Sequence, residues 1–509
     1  LILIRIEWSV TGFYSYSNRK NMKNLKISLN TLLVFALILL IDSCAVNPVT
    51  GKKQIMLMSE AQEIQLGAQY DPQVIATFGE YKNENLRNFL QQKGTEMGVI
   101  SHRPKLEYHV KILDSPVVNA FAVPGGYIYF TRGILALLNN EAELIGILGH
   151  EMGHITARHS ASQQSKQQLG QLLLIGGMIA SEKFASYAEY AMQGMQLLFL
   201  KFSRDNEREA DQLGVEYSSK VGYDAHKMAD FFEVLNKMNM AESQGGVPTF
   251  LSTHPDPGDR YNSVHRQAKA WQDTLKLASY KVNGDSYLRM IDGIVYGEDP
   301  RQGYVEGNVF YHPDLRFRFT FPAGWQLENL PTQVNMGPKD GKALMIFTFA
   351  QGSTPEEAAT NTIKQLGLDL QQSKQATVNG MPALATICRQ VQQDQTTGQQ
   401  QAIGVLSYYI SYSGQVYVFH GVSAEADFAG YLNTFESAMN TFATLTDPAK
   451  LNIKPKRIQV RRAPRAGTLA SAFSSYGVPQ SQMTELAFLN NMELTDQLPA
   501  GKLIKIIGE

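Results

Sequence analysis

His150-Glu151-Met152-Gly153-His154 constrains this 509-residue chain more than any other stretch. Residues four apart on an α-helix stand about one turn, roughly 6 Å of rise, from each other on the same face. Both imidazoles can therefore reach one metal ion. Glu151 follows the first of them and can stand beside the metal's open position, where a carboxylate takes a proton from water. The surroundings agree. Asn140 is a candidate N-cap with Glu143 three residues on, and Leu144, Ile147, Leu148 and Ile155 recur at helical spacing. The expectation is a helix with a buried face carrying a metal-dependent hydrolytic centre.

A catalytic zinc takes three protein ligands and keeps a fourth place open, so a third donor is expected elsewhere. Ser203 to Asp211 is rich in acids and continues as a helix through Leu213, Val215 and Tyr217. Helical spacing puts Glu207 and Asp211 on one face and turns Glu209 away from them. Glu207 is a candidate ligand, and Asp211 a candidate for orienting a ligand histidine. The competing reading is a solvated charged helix face.

Several motifs fall in a fixed order: the HExxH helix, Glu207-x-x-x-Asp211 preceded by Ser203-Arg204, and Thr253-His254-Pro255 followed by Arg260. With Asn119 to Gly126 leading into Tyr127 to Phe130, and with Asn47-Pro48-Val49-Thr50-Gly51, they resemble the M48 family of zinc metallopeptidases in its periplasmic bacterial branch. The resemblance covers residues 44–275. It implies one zinc ion per chain held by His150, His154 and Glu207, Glu151 as general base and Asp211 as support. It also implies a mostly helical, zincin-type domain with a small sheet, whose edge takes polypeptide substrates as an added strand. Residues 119–130 are the candidate edge, with Pro124-Gly125-Gly126 turning it; an ordinary hairpin is the alternative. The same resemblance sets His254 over the metal. Two roles stay open: a fourth ligand that keeps the site latent until substrate moves the loop, which we favour, or a stabiliser of the oxyanion.

Residues 1–21 read as upstream extension. Met22, Lys23, Lys26 and the apolar run from Thr31 to Ile41 read as a signal peptide over residues 22–43, too short for a stable membrane span. Cys44 ends a lipobox-like Ile41-Asp42-Ser43-Cys44, so the expectation is a lipid-anchored membrane protein facing the periplasm, with the outer membrane as destination. Cys388 is the only other cysteine, which leaves no internal disulfide once Cys44 is acylated. A formal net charge of -1 offers no basic excess to meet phosphates, which argues against nucleic acid as a partner. The apolar stretch from Leu169 to Ala180 is a candidate lid or a core helix.

Residues 276–310 read as a connector and 311–448 as an α+β domain of unknown role. Leu315 to Phe321 alternates as a half-buried strand does, and Ser413-Gly414 is a hairpin turn between Ser407–Tyr412 and Gln415–Phe419. Helices near 355–367 and 424–442 are expected to cover one face. Glutamine-rich residues 371–375 and 392–401 read as exposed turns, and His312 and His420 as structural. Residues 456–509, with Ala466-Gly467-Thr468-Leu469, Leu489-Asn490 and Leu498 to Leu503, resemble a LysM module, which implies a small βααβ fold and contact with peptidoglycan. The chain is thus expected to be α+β and multidomain. Its expected function is that of a zinc-dependent endopeptidase of the bacterial cell envelope, acting on misfolded or misassembled envelope proteins. The alternative is an envelope assembly or wall-binding protein with a latent or structural zinc site.

Overall fold

The computed structural model describes residues 44–166, 202–241, 250, 253–254, 259–393 and 400–509. The expected upstream extension, signal peptide and lid segment lie outside the described residues. Two sheet-bearing regions and a small C-terminal unit make up a mixed α+β chain.

The first region opens with an antiparallel pair, β1 (Cys44–Val46) and β2 (Lys53–Ile55). α1 (Glu60–Phe78) starts in a capping box, Ser59 accepting from the Gln62 amide while the Gln62 side chain takes the Ser59 amide. After α2 (Glu84–Ile100) come β3 (His109–Leu113), β4 (Ala120–Val123) and β5 (Tyr127–Thr131), arranged β3-β5-β4 with β3 parallel and β4 antiparallel to β5. The segment expected at the edge is therefore a hairpin whose first strand is the outer one. Gly126 (φ +101) makes that turn possible, because a Cβ there would lie 2.1 Å from the Glu107 carbonyl.

Helices α3 (Arg132–Leu137), α4 (Glu141–Thr156), α5 (Arg204–Lys220), α6 (His226–Ala241), α7 (Arg260–Leu275) and α8 (Gly284–Ile291) complete this region. Every residue of α4 is buried, so its polarity is confined to residues with partners. Asn140 caps it as expected, accepting from the Glu143 amide at 2.8 Å while Glu143 takes the Asn139 amide at 2.7 Å. α4 and α5 meet backbone to backbone. A Cβ on Gly149 would stand 3.0 Å from Gly214 Cα, one on Gly153 3.1 Å from Ala210 Cα, and one on Gly214 3.0 Å from the His150 nitrogen. These glycines bring the two helix axes close enough for short side chains to meet across the crossing.

The stretch expected as a connector is instead divided between its neighbours. Tyr287, Leu288 and Ile291 of α8 are buried in the first core, because the helix is amphipathic and its apolar face has a partner there. Tyr304–Glu306 is strand β6 of the second region.

That region contains β7 (Val309–His312), β8 (Phe317–Thr320), β9 (Gln326–Asn329), β10 (Gln333–Gly337), β11 (Ala343–Ala350), α9 (Pro355–Leu366), β12 (Asp369–Val378), β13 (Met381–Gln393), β14 (Gln400–Tyr412), β15 (Gln415–Ala424), α10 (Glu425–Met439) and β16 (Ala443–Thr444). Seven strands run in the order β12-β13-β14-β15-β11-β10-β9, and four in the order β16-β8-β7-β6. The two helices cover opposite faces of the larger sheet, not one. Ala358 and Ala359 of α9 pack with Tyr409 and Val418, whereas Phe435 and Met439 of α10 pack with Tyr408, Ile410 and Phe419. Successive strand residues point to opposite faces, so β14 and β15 present an apolar set to each helix. Residues 371–375 are strand rather than turn, Gln372 pairing with Ile387; of the second run, Gln392 pairs with Gln401, and residues 394–399 lie outside the described residues. For Gln372 and Gln375, cross-strand pairing with Ile387 and Leu384 overrides a weak intrinsic preference. His312 and His420 are half-buried and stand away from any cluster of ligating groups among the described residues; partial desolvation lowers both to about 4.

The C-terminal unit runs β17 (Arg457–Arg462), β18 (Gly467–Thr468), α12 (Leu469–Ser475), α13 (Gln480–Leu489), β19 (Gln497–Leu498) and β20 (Leu503–Gly508), with short α11 (Pro448–Leu451) ahead of it. β17 pairs antiparallel with β20. The unit is docked on the first region. Ile458, Phe473 and Ile504 belong to the same apolar cluster as the metal-motif helix, and the Ile458 amide donates to Ile294 at 2.9 Å. Lys505 is fully buried and donates to the carbonyls of Ala136, Leu137 and Leu138, at 2.9, 3.0 and 2.9 Å, closing the end of α3. Burial lowers the Lys505 pKa and raises that of Glu143, each opposed by the other's charge.

Candidate metal centre

α4 and α5 bring together His150, His154 and Glu207, and His254 joins them from farther along the chain. All four are buried, and one ligating atom from each lies within 4.8 Å of the others. His154 Nε2 stands 3.1 Å from His150 Nε2 and 3.4 Å from Glu207 Oε1. His254 Nδ1 is 3.3 Å from His150 Nε2 and 3.0 Å from Glu207 Oε1. Donors about 2.0–2.1 Å from a tetrahedral ion sit ~3.4 Å from one another, so this spacing fits a single ion. Imidazole and carboxylate together suit a first-row transition metal.

The electrostatics of His154 and Glu207 point the same way. Burial lowers the His154 pKa despite Glu207, which leaves a neutral imidazole with a lone pair to give. Burial opposes the charge on Glu207, yet His254, His154 and Arg260 together hold its carboxyl well below the ordinary range. Burial likewise opposes charge on His254, and the carboxylates of Glu207 and Glu151 outweigh it.

Glu151 lies fully buried beside this cluster, and among the described residues neither of its oxygens has a hydrogen-bond partner. His254 Nε2 is also unpartnered, 3.6 Å from Glu151 Oε1. An unpaired carboxylate in such a place is costly unless something else occupies the space, and burial raises its pKa.

Asp211 approaches from behind. Its Oδ1 is 2.9 Å from His150 Nδ1, the ring nitrogen turned away from the cluster. Arg260, at the start of α7, ties the acids together: Nε and Nη2 each reach Asp211 at 2.8 Å, and Nη2 reaches Glu207 Oε2 at 3.0 Å. Its guanidinium lies 3.8 Å over the Phe232 ring. Phe202 stacks on His154 with 4.0 Å between ring centroids, and Phe250 on His254 at 4.5 Å, so apolar rings wall the cluster.

Sequence reasoning thus names the polar residues that converge here; it misses the rings of Phe202 and Phe250, and it misses His159, which touches His154, with Glu209 behind it. His159 Nδ1 lies 3.0 Å from His154 Nδ1, and His159 Nε2 lies 3.0 Å from Glu209 Oε2. Glu209 does turn away from Glu207, as helical spacing requires, but it turns toward His159. The only signal available in the sequence is a third histidine five residues beyond His154. The turn that swings it back at Arg158 (φ +59) has no glycine or proline to announce it. That left-handed residue is held by Glu63 Oε2 at 2.9 Å and the Met58 carbonyl at 2.9 Å.

Residues 84–268 match the family model described as Peptidase family M48. The β-barrel assembly-enhancing protease of Escherichia coli K12 is 25% identical over 246 residues, which cover 47% of this chain and 50% of that protein. The mitochondrial metalloendopeptidase OMA1 of Bos taurus is 25% identical over 274 residues, covering 50% of this chain and 51% of that protein. Its counterpart in Arabidopsis thaliana is 31% identical over 184 residues, 35% of each chain. This chain spans about half the length of the curated relatives it matches in the first two cases.

Proposed function

The chain carries a peptidase family M48 domain, and on that premise we propose that it is a zinc-dependent endopeptidase of the bacterial cell envelope. One observation carries the reading: the unpartnered, fully buried carboxylate of Glu151 stands beside the His150, His154 and Glu207 donors. A purely structural metal has no use for a free base at its side.

His150, His154 and Glu207 would hold the ion. Zinc, when bound, supplies Lewis acidity toward the scissile carbonyl and the attacking water. Glu151 takes the proton of that water and hands it to the leaving amine; its free oxygens are what the first step requires. Asp211 fixes the His150 ring from its far nitrogen. The outer strand β4 is buried along its length but paired on one side only among the described residues, and that unpaired side is where an extended polypeptide would add once it is uncovered. A backbone-read strand favours unfolded over folded chains, hence the proposed substrates, misfolded or misassembled envelope proteins.

The remaining parts of the proposal rest on sequence. Cys44 carries the lipid that attaches the chain to the membrane facing the periplasm, and the C-terminal unit contacts peptidoglycan as a LysM-like module. No helix among the described residues is long and apolar enough to cross a membrane.

His254 supports a latent resting state, since its Nδ1 stands among the other donors and can fill the fourth place. The test is hydrolysis of an unfolded protein by wild type and His254→Ala, each with and without a chelator. His254→Ala is expected to raise basal hydrolysis about tenfold, as for an enzyme whose competent state is a minority species. Chelation should abolish both activities and zinc restore them. Hydrolysis indifferent to chelator would sink the zinc reading, and a fall in kcat at unchanged KM would move His254 to the oxyanion role.

A further inference from the structure

His154 is oriented by a neighbour that is not a carboxylate. His150 gives its far ring nitrogen to Asp211 directly, at 2.9 Å. The far nitrogen of His154, Nδ1, faces instead the Nδ1 of His159 at 3.0 Å, and His159 Nε2 faces Glu209 Oε2 at 3.0 Å. His159 is buried while Glu209 is partly open to solvent. The end of the chain of contacts is Asn47, whose amide nitrogen makes a weak 3.5 Å approach to the other Glu209 oxygen.

For a neutral His159, proton bookkeeping sets the direction of these bonds. Glu209 is an acceptor, so His159 must carry its proton on Nε2. Neutral His159 then offers only a lone pair at Nδ1, and the 3.0 Å contact requires His154 to be the donor through Nδ1–H. That leaves His154 Nε2 bare, which is the atom facing His150 and Glu207. Were His159 reversed, it would donate to a His154 whose proton sits on Nε2, where a metal would have to displace it.

We propose that His159, held by Glu209, is a positioning residue that sets the ring angle and tautomer of His154 as a metal ligand. The proposal rests on the zinc reading of the centre. It also accounts for the left-handed turn at Arg158, which swings His159 back over the end of α4.

The test is the zinc dissociation constant of the full chain, measured by competition with a chromophoric chelator, together with the melting temperature of the metal-free protein. His159→Phe keeps the ring volume and loses the acceptor, and should weaken zinc binding about 10- to 100-fold. His159→Asn places an amide oxygen where Nδ1 was and should recover most of that loss. Glu209→Ala, at a partly exposed position where misfolding is not expected, should weaken zinc binding by roughly tenfold through loss of the fixed tautomer. The metal-free melting temperatures of Glu209→Ala and His159→Asn should stay near that of wild type. Wild type that binds zinc while Glu209→Ala and His159→Phe bind it equally well overturns this proposal alone. Wild type that binds no zinc overturns the zinc reading, and this proposal with it. Weakened binding that tracks a lowered metal-free melting temperature, with no recovery in His159→Asn, assigns His159 to packing and also overturns it.

Discussion

Glu151→Gln is expected to lower peptide hydrolysis by about 10²- to 10⁴-fold, the usual range for removing a general base, while zinc content stays at the wild-type level. Glutamine has the shape of glutamate and cannot take the proton. Glu151 is assigned no ligand atom, and its oxygens accept no hydrogen bond among the described residues, so the scaffold loses only the charge that faces His254 Nε2 at 3.6 Å. Folding should be undisturbed or improved, because a fully buried group without a partner is easier to bury neutral than charged. Steady-state kinetics, metal analysis and thermal melting on one preparation check all three expectations. Turnover within tenfold of wild type would remove Glu151 from the mechanism.

Arg260→Met should destabilise the metal-free protein by about 3–5 kcal/mol, because it leaves two buried carboxylates without their shared cation. Asp211 loses both arms of the guanidinium fork and Glu207 loses the contact on Oε2. Methionine fills much of the volume against Phe232, so the loss is chiefly one of charge. Arg260→Lys should recover only part, since an ammonium cannot hold Asp211 at two points and reach Glu207 as well. Asp211 freed from Arg260 also holds His150 less firmly, so zinc affinity should fall in the same variants. Urea unfolding of the metal-free chains, followed by circular dichroism, gives the comparison. A loss below about 1 kcal/mol would mean that the two acids are not held charged by Arg260.

The legible parts of this protein are those that local periodicity decides. The i, i+4 pair His150 and His154, the Asn140 cap, and the hairpin about Ser413-Gly414 all depend on residues near one another in sequence, and each stands where its pattern puts it. Glu207 was legible as a candidate because Asp211 and it share a helix face. Its arrival beside His150 depends on Gly149, Gly153 and Gly214 letting two backbones touch, which no single helix announces. His159 was illegible for a different reason. A helix continued past Thr156 would turn it from His154, and only a break at Arg158, held by Glu63 from α1, returns it. The opposite placement of α9 and α10 is a further tertiary outcome. Strands β14 and β15 are apolar on both faces, and that pattern tells a reader that both faces are covered without saying by which helix.

Anomalous diffraction at the zinc edge from crystals of the purified full chain tests the central claim most directly. The account predicts one zinc ion per chain, with His150 Nε2, His154 Nε2 and a Glu207 oxygen at about 2.0–2.2 Å and Glu151 close by but not bonded to it. Zinc bound at other residues, or zinc at this cluster with Glu151 as a ligand in place of Glu207, would contradict it.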